Sequence, residues 1–324
     1  MSTVLVTGGS GYVGTQLVAA LLREGRDVRV TVRSLDREED VRAAVRRGGA
    51  DDGGLEFVVA DLTSDEGWAA AAADVEEVHH VATPFPAAQP DDPDELVVPA
   101  REGTLRALRA SRDAGVRRVV LTSSFAAVGY SPKPSADYTE ANWTDPDLPG
   151  LPAYPRSKTI AEKAAWDFID REGGDTQLVV VNPTFILGPT LTADARSSLQ
   201  LVKAMLDGSM PVAPRQRFGI ADVRDVADLH IRAMNNPEAA GKRFLALADG
   251  PTISFLQLAQ TLRARLGVLA ERVPTEEAPG ARLPNLTIHN DRARNELGWR
   301  PRPAETTIVE SAENLRDLGL LEDL

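Results

Sequence analysis

The sequence contains no cysteine. Disulfide bridges, thiolate nucleophiles and cysteine-ligated metal centres are therefore excluded. Such a chain suits a reducing compartment, and a cytoplasmic protein is expected. Histidine is scarce, with 4 residues, and none has metal-ligand spacing. His79 and His80 are adjacent, and neighbours on a strand face opposite sides of a sheet, so no metal site is expected. Lysine supplies only five of the 36 basic residues. The net charge is −12, which repels a phosphate backbone, so nucleic acid is not an expected partner. No apolar run approaches the ~20 residues of a membrane helix. Met1–Thr7 lacks the basic and apolar stretches of a signal peptide, and none is expected.

What is present is ordinary for a globular protein: 43% apolar and 26% charged residues in a chain of 324. That length holds one large or two modest domains. In the first half, short apolar runs alternate with helical periodicity. Strands are expected at 3–7, 28–32, 57–60, 78–82, 116–123 and 177–181. Helices are expected at 12–24, 36–47, 66–73, 96–113 and 154–171. Alternation of this kind predicts parallel strands joined by right-handed helical crossovers. The strands are continuously apolar, as they are when helices cover both faces. The fold class is therefore α/β, a Rossmann-type doubly wound parallel sheet. After Asn182-Pro183, proline and glycine punctuate the chain. Helices are expected at 197–206, 223–235, 255–266 and 304–318, with a strand at 243–248. This part reads as a smaller mixed α/β substrate lobe. The expected division is 1–183 for the dinucleotide-binding domain, with 218–240 returning to it, and 184–217 with 241–324 for the lobe.

Thr7-Gly8-Gly9-Ser10-Gly11-Tyr12-Val13-Gly14 follows a strand and opens a helix. Gly8 suits the tight turn, Gly11 a close approach to a pyrophosphate, and Gly14 tight helix–strand packing. The free N–H groups of the helix start, at Tyr12, Val13 and Gly14, would meet the phosphates. A glycine triplet is a weak signal alone, but strand–turn–helix context makes it strong. The second strand ends at Arg33, where the adenosine ribose would lie. A base there favours a 2′-phosphate, and Arg37 could assist, so NADP (as NADPH) is expected over NAD. Asp61-Leu62 follows the third strand. Asp61 could accept from an adenine amino group or act as a helix N-cap.

Tyr154-Pro155-Arg156-Ser157-Lys158 places Tyr154 and Lys158 one helical turn apart on one face. An ammonium beside a phenol is expected to lower its pKa, giving an acid–base group near neutral pH. The fifth strand ends in Thr122-Ser123-Ser124, where ligands of open α/β sheets bind. A hydroxyl there can orient a substrate carbonyl.

Five motifs now stand in order: Thr7–Gly14, Asp61-Leu62, Ser123–Gly129, Tyr154–Lys158 and Asn182-Pro183. Together they resemble the extended short-chain dehydrogenase/reductase family over essentially the whole chain. His80–Pro84, Thr31–Arg33 and Pro183–Pro189 are similar to the dihydroflavonol-reductase-like group within it. The resemblance implies an NADPH-dependent reduction of an aldehyde or ketone. Tyr154 would donate the proton, Lys158 would lower the tyrosine pKa and hold the nicotinamide ribose, and Ser124 would orient the carbonyl. Ser124 is preferred to Ser123 by its spacing to Gly129. Ala82 and Thr83 would line the ribose side, and Pro183, Thr184 and Ser198 the nicotinamide end. Glu102 departs from the family, which has asparagine before Gly103-Thr104, and this bears on the proton relay.

The competing reading is an NAD-dependent nucleotide-sugar epimerase or dehydratase using the same Tyr and Lys. Arg33 and the lack of an acid beside the serine argue against it. A non-catalytic NADP sensor would not need the Ser–Tyr–Lys set. The expected partner is a small-molecule carbonyl compound, and the chain would be a monomer or homodimer. Phe85, Tyr130, Phe185 and 190–206 are candidate pocket residues, with Arg196 and Arg215 as candidate anion anchors.

Overall fold

A computed structural model describes residues 3–84, 90–193, 198–281 and 285–321. The first half runs β1 (Thr3–Thr7), α1 (Tyr12–Arg23), β2 (Val28–Val32), α2 (Glu38–Arg47), β3 (Leu55–Val59), α3 (Trp68–Ala72), β4 (Val75–His80), α4 (Asp94–Asp113), β5 (Arg118–Thr122), β6 (Asp137–Tyr138), α5 (Ala153–Glu172) and β7 (Gln177–Pro183). The second runs β8 (Phe185–Leu187), α6 (Ser198–Leu206), β9 (Arg217–Phe218), β10 (Ile220–Asp222), α7 (Val223–Asn235), β11 (Arg243–Ala246), β12 (Ile253–Ser254), α8 (Phe255–Leu266), β13 (Thr287–Ile288), α9 (Asp291–Leu297) and α10 (Ala304–Asp317).

Seven strands form one parallel sheet in the order β11-β7-β5-β4-β1-β2-β3. β1 shows why the sheet must be covered on both sides. Val4 and Val6 enter the core beneath α1 and α7, while Leu5 enters the opposite core beneath α4 and α5. All three are almost fully buried, each worth roughly 1.5–3 kcal/mol of apolar transfer. α1 turns Leu17, Val18 and Leu21 into the first of these cores. The chain then turns at Gly25, which follows the helix with a left-handed φ of 77°. Strand order reverses between β1 and β4, and the crevice beyond their C-terminal ends is the switch point of the fold.

The second half packs α6, α8 and α10 around Leu199, Met205, Phe255, Leu258, Ile308 and Leu315. Two small pairs, β8–β10 and β9–β12, complete this lobe. Arg243–Ala246, expected in the lobe, is instead the edge strand of the main sheet. It pairs with β7, and Phe244 sits with Ala293, Leu297 and Trp299 in the sheet core. The expected boundary at residue 241 therefore cuts through a strand–helix unit that belongs with the sheet. The expected start of α6 at Ser197 lies outside the described residues.

Candidate functional site

The glycine loop is built as its spacing requires. Gly8 adopts φ +67°, and a Cβ there would lie 2.8 Å from the Ala82 Cα at the end of β4. A Cβ on Gly14 would lie 2.3 Å from the Gly8 carbonyl oxygen. Gly11 is looser: its Cβ would meet only that same oxygen, at 3.2 Å. Gly11 is the N-cap of α1, with no side-chain cap, so the first N–H groups of Tyr12, Val13 and Gly14 face out of the helix end. The Tyr12 hydroxyl is spoken for, donating to the Gly188 carbonyl at 2.6 Å. Gln16, one turn on, donates to Pro189 at 2.8 Å. The loop helix thus grips the chain where it enters the lobe, and the part of Tyr12 left for a ligand is its backbone.

At the adenosine end, Arg33 is exposed and makes no hydrogen bond or ion pair among the described residues. Arg37 pairs with Asp40 at 3.3 Å. Asp61 accepts from the Thr63 backbone N–H at 2.7 Å and from its hydroxyl at 2.6 Å. These bonds, with lesser help from Arg33 and Arg106, hold its carboxyl below the ordinary range. Asp61 closes a turn. It does not cap α3, whose N-cap is Gly67. Leu62 packs against the helix at Gly103, where a Cβ would lie 2.7 Å from the Leu62 Cβ.

Between β1 and β4, the Thr7 hydroxyl accepts from the N–H groups of Val81 and Ala82, both at 3.1 Å. Its own hydrogen then goes to His80 Nδ1 at 2.8 Å, which puts the imidazole proton on Nε2. This network fixes Ala82 against the glycine loop. Burial, and then the charge of Lys158, push the His80 pKa down to about 3, so the ring is neutral. Thr122 bonds His230 Nε2 at 2.9 Å on the opposite face of the sheet.

Ser124, Tyr154 and Lys158 come together at the end of β5 and the start of α5. Ser124 opens a short helical turn, its Oγ accepting from Ala126 N–H at 3.1 Å. Its side chain is also hydrogen-bonded to Tyr154. The sequence predicts a phenol acidified by lysine, but the structure reverses this. Burial holds the Tyr154 pKa above its ordinary value, the Ser124 bond opposing it only in part, and Tyr130 adds to the rise. Lys158 is dry as well. It is 6% exposed, and burial lowers its pKa from 10.5 to about 8, with Glu162 opposing. Its ammonium makes no hydrogen bond or ion pair among the described residues. A small cavity beside it is lined by Ala82, Thr83, Thr104, Thr122 and Ser123. An uncapped helix end, an unpaired Arg33 and a buried, unpartnered ammonium fit the phosphates, the 2′-phosphate and the ribose hydroxyls of a nicotinamide dinucleotide.

The other expected residues divide. Pro183 ends β7 opposite Ala246. Thr184 donates its N–H to the Ala246 carbonyl at 3.1 Å. The Ser198 hydroxyl donates to the Ile186 carbonyl. Phe185 belongs to an aromatic cluster, 4.5 Å from Phe218 and 5.7 Å from Phe255 by ring centres. Tyr130 stands at the rim near Tyr154, 38% exposed. Arg215 is not an open anion anchor: it pairs with Glu277 at 3.1 Å and bonds the carbonyls of Ala278 and Gly280. Glu102 pairs with Arg101 at 2.8 Å. Phe85 and Arg196 lie outside the described residues. Sequence reasoning passed over Glu162 and Arg243, and gave Asn182 a place in a motif but no role at the site. The available signal was spacing, since Tyr154, Lys158 and Glu162 repeat at four-residue intervals.

A glycine loop at the switch point with Ser, Tyr and Lys beside it is the layout of a short-chain dehydrogenase/reductase. Residues 4–246 match the model of the NAD dependent epimerase/dehydratase family, and the chain belongs to that family. Among its relatives is a cinnamoyl-CoA reductase of Medicago truncatula, 31% identical over 98% of this chain and 96% of that protein. A putative NADPH-dependent methylglyoxal reductase of Candida albicans is 32% identical over 92% and 94%. A dihydroflavonol 4-reductase of Zea mays is 33% identical over 88% and 78%. The yeast methylglyoxal/isovaleraldehyde reductase Gre2, solved with NADPH, superimposes with a TM-score of 0.84 at 27% identity, covering 98% of this chain and 99% of that one. Among the described residues no helix is long and apolar enough to cross a membrane.

Proposed function

We propose that this protein is an NADPH-dependent reductase of aldehydes or ketones. The observation that carries the reading is the hydrogen-bonded Ser124–Tyr154 pair next to the buried Lys158, at the mouth of an open glycine loop. Its named relatives, all reductases of carbonyl or related compounds, support it. NADPH supplies a hydride when bound. Arg33 would hold the 2′-phosphate, the uncapped end of α1 the pyrophosphate, and Lys158 the ribose nearest the reaction. Ser124 donates to the substrate carbonyl oxygen and aligns it on Tyr154. Tyr154, kept protonated by burial, gives its phenolic proton to that oxygen as the alcohol forms. The Lys158 ammonium stabilises the phenolate left behind. The lobe of α6, α8 and α10 would cover the substrate side.

The test is loss of NADPH absorbance with methylglyoxal, isovaleraldehyde and a panel of aryl ketones. Tyr154→Phe should bind NADPH as the wild type does and reduce about 10²–10⁴-fold more slowly, the usual contribution of a positioned acid. Turnover that survives this change would refute the proton-donor assignment.

A further inference from the structure

One buried carboxylate has no role in the scheme above. Glu162 lies on α5 one turn beyond Lys158, and its side chain is fully buried. Donors from three strand ends converge on it. The Ser123 hydroxyl donates to Oε2 at 2.6 Å from the end of β5. Asn182 Nδ2, on β7, donates to Oε2 at 2.8 Å. Arg243, on β11, donates through Nε to Oε1 at 2.6 Å and through Nη2 to Oε2 at 3.3 Å. Asn182 Nδ2 also donates to the Ser124 carbonyl at 3.1 Å. Arg243 is clamped in turn, bonding the carbonyls of Glu140 and Asn142 at 2.8 Å and stacking 3.7 Å above the Trp143 ring.

A buried ion pair is an expensive way to hold a fold, and apolar packing often serves stability as well or better. This pair sits where β5, β7 and β11 meet the helix that carries Tyr154 and Lys158. We propose that Glu162, locked by Arg243, is a positioning residue: it fixes the Ser123–Ser124 turn through Ser123 and Asn182, and it is the counter-charge that keeps the neighbouring Lys158 cationic. The inference rests on the reductase reading, and it assigns Glu162 no contact with substrate. Burial alone drives the lysine toward its neutral form and Glu162 opposes it.

The variants are Glu162→Gln, which keeps the shape and removes the charge, and Glu162→Asp, which restores the charge. Arg243 would be left unpaired in the first, so Glu162→Gln/Arg243→Met guards against misfolding. Reductive ¹³C-methylation of the five lysines lets NMR follow Lys158 in the apo protein, with Lys158→Met assigning the signal. The Lys158 titration midpoint should fall by about one pH unit in Glu162→Gln and move the same way in the double variant. The alkaline limb of kcat/KM should follow it. kcat should drop at least tenfold with KM for NADPH nearly unchanged, and Glu162→Asp should recover part of the loss. A folded double variant with the wild-type midpoint and wild-type kcat would overturn the proposal. If the wild type reduces no carbonyl, the reductase reading fails, and the NMR midpoint still decides the Glu162–Lys158 coupling. If Tyr154→Phe is inactive while the Glu162 variants keep rate and midpoint, this inference alone fails.

Discussion

Replacing Lys158 with methionine should make the apo protein more stable while abolishing reduction. The wild-type lysine is 6% exposed, and burial takes its pKa from 10.5 to about 8. Each unit corresponds to about 1.4 kcal/mol between the two protonation states. The charged form therefore costs the native state about 3 kcal/mol at neutral pH. Methionine has similar length and volume, no charge and flexible packing, so the swap removes this penalty with little strain. For a chain of this size, about 2 °C per kcal/mol converts the gain to roughly 6 °C in Tm. The sign with pH is fixed. Between pH 8 and 10.5 the unfolded lysine holds a proton that the folded one has released, so the wild type gains stability as pH rises through this window. The methionine variant does not, and the gap should close by about pH 10.5. Melting both apo proteins at pH 7, 8, 9 and 10 measures this directly. A methionine variant no more stable than wild type at pH 7, or a gap independent of pH, would refute the reasoning. NADPH should then stabilise the wild type more than the variant, since the ammonium gains the ribose hydroxyls.

Arg33→Ser should weaken NADPH binding about 10–100-fold and leave NADH nearly unchanged, as expected for the loss of charge-assisted bonds to one phosphate; fluorescence titration with both cofactors checks it. Gly11→Ala should fold normally and lose NADPH affinity, whereas Gly14→Ala, whose Cβ would strike the Gly8 carbonyl, should lower Tm as well. Acid should unfold the protein early, because burial lowers His80 and His230 to about 3 and both stay neutral in the fold. As pH falls below about 6.5 the unfolded histidines take up protons that the folded ones refuse. Each then costs about 2 kcal/mol by pH 5, visible as a falling urea midpoint. His79, fully buried with neither ring nitrogen partnered among the described residues, should follow the same rule, and His79→Leu should flatten the acid slope.

Much of this architecture was readable from periodicity because the sheet is buried on both faces. The run Val4–Val6 has no polar interruption that solvent would require, Val28–Val32 keeps three buried valines around Arg29 and Thr31, and their ends fell where glycine or Arg33 begins. The short pairs did not announce themselves, because two-residue strands such as Asp137–Tyr138 and Thr287–Ile288 carry no alternation to read. The catalytic spacing at Tyr154 and Lys158 was legible for a similar reason, being one turn of one helix. Glu162 was not, since a glutamate between alanine and lysine looks like a solvated face. Its burial depends on Arg243, 81 residues later. The direction of the Tyr154 pKa shift was misread because adjacency in sequence says which groups are neighbours and nothing about how dry the site is. Arg215 looked like a free cation for the same reason, its partners at 277–280 being distant in the chain.

The position of β11 bears on how the protein is made. The edge of β7 stays unpaired until residues 243–246 have left the ribosome, and α7, which covers that side of β5 and β7, emerges only shortly before. A nascent chain that has completed the glycine loop and Tyr154 still shows an open strand edge and the bare valines of β5 and β7. Such edges recruit other chains. The cofactor half therefore lacks its edge strand through most of synthesis, and the demand for chaperone cover should fall once the segment around Phe244 docks.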